Sequence, residues 1–316
     1  MKWRKLGKIF DPKDYILPDG CTEFAQSPQA LVLPNAIRIY FSTRRRDETG
    51  KYLSHVAYAD FDRTLSKVLE VSQHTIVPLG ELGAFDEHGI FPLSPTRDGD
   101  RVLGYTTGWN RRVSVSADSA VGLTISTDNG RTFKRHGTGP VLASSLHEPF
   151  LVADAFVAKH GDRFHMWYIF GTEWSRVAEG QSPDRVYKIA HATSEDGISW
   201  AREGRQIVSS QLGSSECQAL PTVAYVDGHY VMMFCFRSQF GFRDGRDGAY
   251  RIGCATSQDL TNWTRQEDAG IDVSREGWDS EMQCYPSIFE CDGVVYLLYN
   301  GNQFGRNGFG VAVLER

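Results

Sequence analysis

Five glutamates recur at one point of a repeated segment. Glu23, Glu87, Glu216 and Glu281 each stand five residues before a proline, at Pro28, Pro92, Pro221 and Pro286. The fifth, Glu148, has Ala153 at the proline position. Carboxylates gathered in one small cavity cannot all ionise cheaply, because like charges disfavour the charged form and raise some of the pKa values. A raised carboxyl pKa is what a general acid at neutral pH requires. A protonated carboxyl facing an ionised one across a sugar linkage is the apparatus of glycoside hydrolysis, with separations of about 6.5–9.5 Å for inversion and about 5–5.5 Å for retention. The repetition equally fits a structural role, each glutamate accepting backbone hydrogen bonds from a neighbouring repeat. The residues alone leave both roles open.

The company of each glutamate distinguishes the copies. Asp86-Glu87-His88 sets three ionisable groups together, and His147-Glu148 sets two. Asp154 interrupts an otherwise apolar strand, Val152–Phe156, where an unpaired carboxylate is costly unless it is functional. Glu216-Cys217-Gln218 and Glu281-Met282-Gln283 are twins. Gln218, Gln283 and Gln26 offer the paired donor and acceptor that sugar hydroxyls use. A second set of candidates follows the next strand of each repeat: Arg44, Trp109, Trp174 beside Glu173, Arg237, and Asn302 beside Asn300. Aromatic faces stack on pyranose rings and fixed polar groups orient the hydroxyls. Arg44 and Arg237 also suit a carboxylate or phosphate held by a bidentate fork, whereas Arg45 and Arg46 read as a solvated turn. Loops 110–120, 171–186 and 238–250 are long enough to form a binding face, with Phe240, Phe242 and Arg243 placed to cap a ligand. No metal-ligand spacing, phosphate loop or dinucleotide fingerprint occurs.

The elements that carry these residues repeat about every 60 residues, and such a period sets the architecture. Each unit runs from the glutamate into an apolar strand, through a short turn, to an aromatic-rich strand: Ile37–Phe41, Arg101–Thr106, Arg163–Phe170, His229–Phe236 and Val294–Tyr299. Asp98-Gly99, Asp227-Gly228 and Asp292-Gly293 mark hairpin turns. Third strands follow, and the turns after Ser126, Ser194 and Ser257 close on Phe133, Trp200 and Trp263. The last unit ends at Arg316 without a fourth strand. Trp3-Arg4-Lys5 matches the start of the fourth strands elsewhere, Phe133-Lys134-Arg135, Trp200-Ala201-Arg202 and Trp263-Thr264-Arg265. The expectation is an all-β, five-bladed β-propeller over residues 1–316, one domain, with residues 3–10 as the outer strand of the last blade. Closing the ring this way leaves only short edges.

Bulk properties narrow the partners. Net charge is -5 over 316 residues, which disfavours nucleic acid and anionic membranes, since phosphate backbones need a basic surface. The start, MKWRKLGKIF, lacks the apolar core of a signal peptide, and no apolar run reaches membrane-spanning length. The six cysteines show no CxxC spacing. A cytoplasmic protein with reduced cysteines, monomeric or homo-oligomeric and acting on a carbohydrate or glycoconjugate, is expected.

With its inner-strand acids and the turns SEDGISW and SQDLTNW, the chain resembles the five-bladed glycosidase superfamily. That group includes arabinanases and xylosidases, invertase-like enzymes and the β-mannoside phosphorylase-like family. The resemblance implies a glycoside hydrolase using carboxylate acid/base chemistry in the central cavity. Its alternatives are a phosphorolytic or transferring relative and a non-catalytic carbohydrate-binding propeller. It further implies three catalytic acids, led here by Glu23, Glu87 and Glu216 with Asp154 and Glu281 in reserve. Glu23 stands where arabinanase-like families carry aspartate. A structural ion in the channel, or inorganic phosphate as co-substrate, is compatible with the resemblance; no cofactor is demanded. STDNGRTF, Ser126–Phe133, resembles the structural Asp-box of sialidases.

Overall fold

The computed structural model describes residues 1–243 and 247–315, so residues 244–246 of the expected capping loop, and Arg316, lie outside the described residues. The strands form five four-stranded antiparallel blades, the first two joined edge to edge by one parallel bridge, Ser54 opposite Gly89. Blade one holds β2 (Glu23–Val32), β3 (Ile37–Arg46), β4 (Tyr52–Phe61) and β5 (Val68–Val71). Blade two holds β6 (Gly89–Asp98), β7 (Arg101–Arg111), β8 (Ala117–Ser126) and β9 (Lys134–Arg135). Blade three holds β10 (Val152–His160), β11 (Arg163–Ser175), β12 (Asp184–Ser194) and β13 (Ala201–Arg202). Blade four holds β14 (Cys217–Val226), β15 (His229–Arg237), β16 (Arg251–Ser257) and β17 (Thr264–Arg265). Blade five holds β18 (Cys284–Cys291), β19 (Val294–Asn300) and β20 (Phe309–Leu314), completed by β1 (Trp3–Phe10). β1 pairs antiparallel with β20, Trp3 opposite Leu314. The ring is a closed five-bladed β-propeller, and the matched Trp3-Arg4-Lys5 segment is its closing strand.

The apolar core lies between blades. Five buried clusters fill the five gaps, for example Tyr40, Val56, Ile90 and Val102 between blades one and two, and Phe10, Phe41, Leu298 and Phe309 between blades five and one. A sheet with apolar residues on both faces needs such neighbours on both sides. The turn chemistry read from sequence also fixes the gaps. Asp128 accepts from the amides of Arg131 and Thr132, Asp196 from those of Ile198 and Ser199, and Asp259 from those of Thr261 and Asn262. Each turn presents a carbonyl or ring to the preceding blade: Tyr40 Oη donates to Gly130 O at 2.9 Å, and Tyr105 Oη to Gly197 O at 2.9 Å. Gly130 has φ of 79°, and a Cβ there would stand 2.0 Å from Tyr40 Oη, so only glycine fits.

Four of the blades are locked internally by a buried acid ahead of the inner strand and a base on the outer strand. The pairs are Asp86–Arg135 at 2.5 Å, Glu148–Arg202 at 2.9 Å, Glu216–Arg265 at 2.6 Å and Asp279–Lys5 at 2.7 Å. The base always sits two residues after the aromatic that precedes or opens the outer strand. In blade one, Asp19 accepts instead from Thr75 N and Oγ1. This lock corrects the fivefold glutamate repeat. Glu148 and Glu216 are fully buried in it, but in blades two and five the equivalent acids are Asp86 and Asp279, not Glu87 and Glu281. Two of the five repeated glutamates, Glu148 and Glu216, thus belong to the lock, and Asp86 and Asp279 complete it in two further blades.

Candidate functional site

The inner strands carry a second device, and here the blades differ. Each has a β-bulge: between Gln26 and Gln29, Ile90 and Leu93, Ala153 and Phe156, Ala219 and Thr222, and Cys284 and Ser287. Pro28, Pro92, Pro221 and Pro286 sit in these bulges, where a missing N–H breaks no ladder bond. The true counterpart in blade three is Ala155, not Ala153. A bulge re-aims the side chain beside it. The residues preceding the proline position are Ser27, Phe91, Asp154, Leu220 and Tyr285. Four of the five carry no carboxyl. Blade three places Asp154 there, with φ of 52°, a left-handed conformation that aspartate tolerates better than most residues.

Asp154 lines a cavity of about 550 Å³ formed at the inner strands and the loops above them. It is 6% exposed. Its carboxylate accepts from Leu220 N at 3.2 Å, and its amide donates to Thr107 Oγ1 at 2.7 Å. Burial pushes its pKa up to about 7, against the lowering effects of the Leu220 amide and the Arg185 charge. Burial is the dominant cause because one hydrogen bond and one distant cation do not replace a carboxylate's hydration. The cavity also receives Glu281 and Asp118.

Cations and aromatic rings make up much of the remaining wall. Arg44, Arg185, Arg237, Arg243 and Arg306 all line it. Four of them are engaged: Arg306 with Glu23 at 2.5 Å, Arg237 and Arg243 with Asp184 at 3.5 and 2.9 Å, and Arg185 with Ser116 Oγ at 3.3 Å. The Arg44 guanidinium makes no ion pair or hydrogen bond among the described residues; it lies 4.5 Å from the centre of the Phe24 ring, and its Nε is buried without a partner. Burial lowers its pKa. Gln26, 2% exposed, donates to Phe304 O and leaves Oε1 without a partner. Buried polar atoms left unpaired are costly unless water or a ligand satisfies them. Phe24, Phe91, Trp109, Phe242, Phe304 and Tyr285 supply apolar surface.

The expected residues therefore separate. Gln26, Arg44, Trp109, Asp154, Arg237 and Glu281 line the cavity, with Phe242 and Arg243 of the expected capping loop. Glu23 lies behind the wall, bonded to Tyr52 Oη at 3.0 Å and to Arg306. His88 stacks on Trp109 with ring centres 6.1 Å apart, and Trp174 packs beside Arg185. Several others are turned away from the cavity. Glu87 accepts from Gly83 N at 3.0 Å. Glu216 is held by Arg265, Gln218 Nε2 and the amides of Gln211 and Leu212. Glu148 is held by Arg202, Ser145 and Tyr168. Gln218 and Gln283 donate to the locking acids Glu216 and Asp279 at 2.9 and 3.0 Å. Asn302 caps the amides of Glu281 and Met282. Tyr187, Tyr250, Tyr285, Arg185 and Arg306 were not expected. The tyrosines sit in or beside strand patterns that read as ordinary core, and only folding turns them to one cavity.

No cluster of histidine, cysteine, aspartate or glutamate able to hold a metal occurs among the described residues. Among them, too, no helix is long and apolar enough to cross a membrane.

Solved structures share this architecture. A protein described as "Glycoside hydrolase" superposes with a TM-score of 0.75 at 16% identity, covering 99% of this chain and 93% of that one. The β-1,2-mannobiose phosphorylase from Listeria innocua superposes with a TM-score of 0.68 at 11% identity, covering 98% and 96%. The fold is that of the five-bladed glycosidase and phosphorylase superfamilies, without assignment to one subfamily. No family model matches the chain. In sequence, 83 residues, 26% of each chain, are 32% identical to a 1,2-β-oligomannan phosphorylase of a Thermoanaerobacter species. The protein Rv1502 of Mycobacterium tuberculosis is 35% identical over 325 aligned residues, covering 100% of both chains. At that identity and coverage, the chain belongs to the family of Rv1502.

Proposed function

We propose that the protein is a carbohydrate-acting enzyme that cleaves a glycosidic bond in this cavity, with Asp154 as the proton donor. The observation that carries the reading is a buried carboxyl set by a bulge into a cavity lined with aromatic rings, where burial pushes its pKa up to about 7. A group with that pKa is substantially protonated at neutral pH and returns to the carboxylate once it has donated. Asp154 protonates the departing glycosidic oxygen as the bond from that oxygen to the anomeric carbon breaks. An oxygen nucleophile forms the new bond at that carbon.

Inorganic phosphate as the nucleophile fits the unpaired Arg44 and the arginine-rich wall, because a charged oxyanion attacks without a second carboxylate as base. The products are then a sugar 1-phosphate and the shortened saccharide. The matched stretch of the oligomannan phosphorylase and the fold shared with the mannobiose phosphorylase support this acceptor. Water is the competing nucleophile, with Glu281 as its base, and the fold shared with glycoside hydrolases supports it. The test is a panel of manno-oligosaccharides and aryl glycosides, incubated with and without phosphate. Phosphate-dependent release of sugar 1-phosphate, lost in Asp154→Asn, is the expected result. Asp154→Asn turning over at the wild-type rate refutes the assignment.

A further inference from the structure

Two phenols and a guanidinium in the cavity wall form a hydrogen-bond set with more donors than acceptors. Arg237 is 1% exposed. Its Nη1 donates to Ser238 O and Gln239 O, both at 2.8 Å, and its Nη2 faces Asp184 at 3.5 Å. Its Nε is shared between Tyr187 Oη at 3.1 Å and Tyr250 Oη at 3.3 Å. The two phenol oxygens are 2.5 Å apart. A guanidinium accepts nothing, so both phenols accept from it. One phenol then donates to the other. The remaining phenolic hydrogen has no acceptor among the described residues, and both rings line the cavity.

The phenols stay protonated. Burial pushes Tyr187 up to about 12 and Tyr250 well above its ordinary value, outweighing the opposing effect of Arg237. The pair is therefore a neutral donor and neither a nucleophile nor a base. Arg237 behind it polarises the chain, which strengthens the terminal O–H as a donor. A donor with no internal acceptor rejects any ligand that cannot satisfy it.

We propose that Tyr187 and Tyr250 together determine specificity, presenting one O–H to a negatively charged oxygen of the ligand, a phosphate or carboxylate oxygen, with Arg237 as the positioning residue. The proposal rests on reading this cavity as the substrate site. It carries a particular signature. Removing either hydroxyl frees the other to point into the cavity, so the donor is lost only when both go.

The experiment is calorimetric titration of the wild type, Tyr187→Phe, Tyr250→Phe and the double variant with inorganic phosphate and, separately, with D-glucuronate. These two arms distinguish phosphate from carboxylate. Each single change is expected to weaken binding about 3-fold, and the double change about 10- to 100-fold, the range of a hydrogen bond to a charged group. A phosphate-soaked crystal of the wild type is expected to show an anion oxygen about 2.5–3.0 Å from one phenol oxygen. That crystal keeps the test decisive if the double variant misfolds. Failure of both anions to bind the wild type, a double variant within twofold of it, or a single variant as weak as the double overturns the proposal. Anion binding through the phenols without cleavage of any glycoside refutes the proposed activity and leaves this donor standing. Cleavage that is indifferent to the double change refutes the donor alone.

Discussion

Glu216 separates the architectural reading of the repeated carboxyl from the catalytic one. Its side chain is fully buried. It is ion-paired to Arg265 at 2.6 Å, with the Arg265 side chain only 3% exposed. It also accepts from Gln211 N at 2.7 Å, Leu212 N at 2.9 Å and Gln218 Nε2 at 2.9 Å. Glu216→Gln keeps the shape and removes the charge. An amide NH2 then replaces one of two acceptor oxygens amid four donors, and Arg265 is left buried without a counterion. Breaking one side of a buried pair costs about 3–5 kcal/mol. For a chain of this size, about 2–4 °C of Tm per kcal/mol gives a fall of about 6–20 °C. Scanning calorimetry and urea unfolding measure it. Arg265→Met should cost a similar amount, and the double variant should cost less than the sum, because the orphaned charge is gone. Glu281→Gln, in an exposed cavity position, should shift Tm by less than about 2 °C. A Glu216→Gln protein that melts within about 2 °C of the wild type but loses activity selectively would refute the lock and restore Glu216 as a catalytic acid.

Asp154→Asn should stabilise the protein as pH rises. The folded pKa of about 7 stands above the ordinary 3.8, so the unfolded chain gives up this proton first, and wild-type stability falls between about pH 4 and pH 7. Asparagine escapes that loss, tolerates the left-handed backbone and still accepts from Leu220 N. Its gain in unfolding free energy should grow across that window to at most about 4 kcal/mol, and a Tm difference constant from pH 4 to 8 contradicts the burial argument. Wild-type turnover should decline above about pH 7 as the proton donor ionises, seen in the pH profile of kcat/KM. Asn300 is fully buried and ties β19 to blade one through Ser27 N and Ala25 O, each at 2.8 Å; Asn300→Ala should cost about 2–4 kcal/mol in urea unfolding. Deleting residues 1–10 removes the strand paired with β20, and the bared edge should produce association visible by light scattering.

The repeat, the blade count, the serine–aspartate turns and the closing strand at Trp3 were legible because they are local or periodic. Strands apolar on both faces must be covered on both sides, turns need glycine and Asx residues, and a missing fourth strand must be found elsewhere in the chain. Much of the cavity was also within reach: Asp154 stood out as a carboxyl in an apolar strand, and Arg44, Arg237, Trp109 and Gln26 stood at strand ends near the axis. The sequence could not rank the five glutamates. Whether a carboxyl next to an inner strand faces the axis or an outer-strand arginine depends on a bulge and on a partner some 50 residues away. Glu148 and Glu216 meet Arg202 and Arg265, while one- and two-residue offsets give the same place to Asp86 and Asp279 and release Glu87 and Glu281. Nor could spacing bring Tyr187, Tyr250 and Arg237 from blades three and four into one hydrogen-bonded set. The sequence by itself determined the ring and where its carboxyls occur. Tertiary structure alone decided which carboxyl loses water without gaining a cation, because desolvation and pairing are properties of the assembled blades and belong to no single strand.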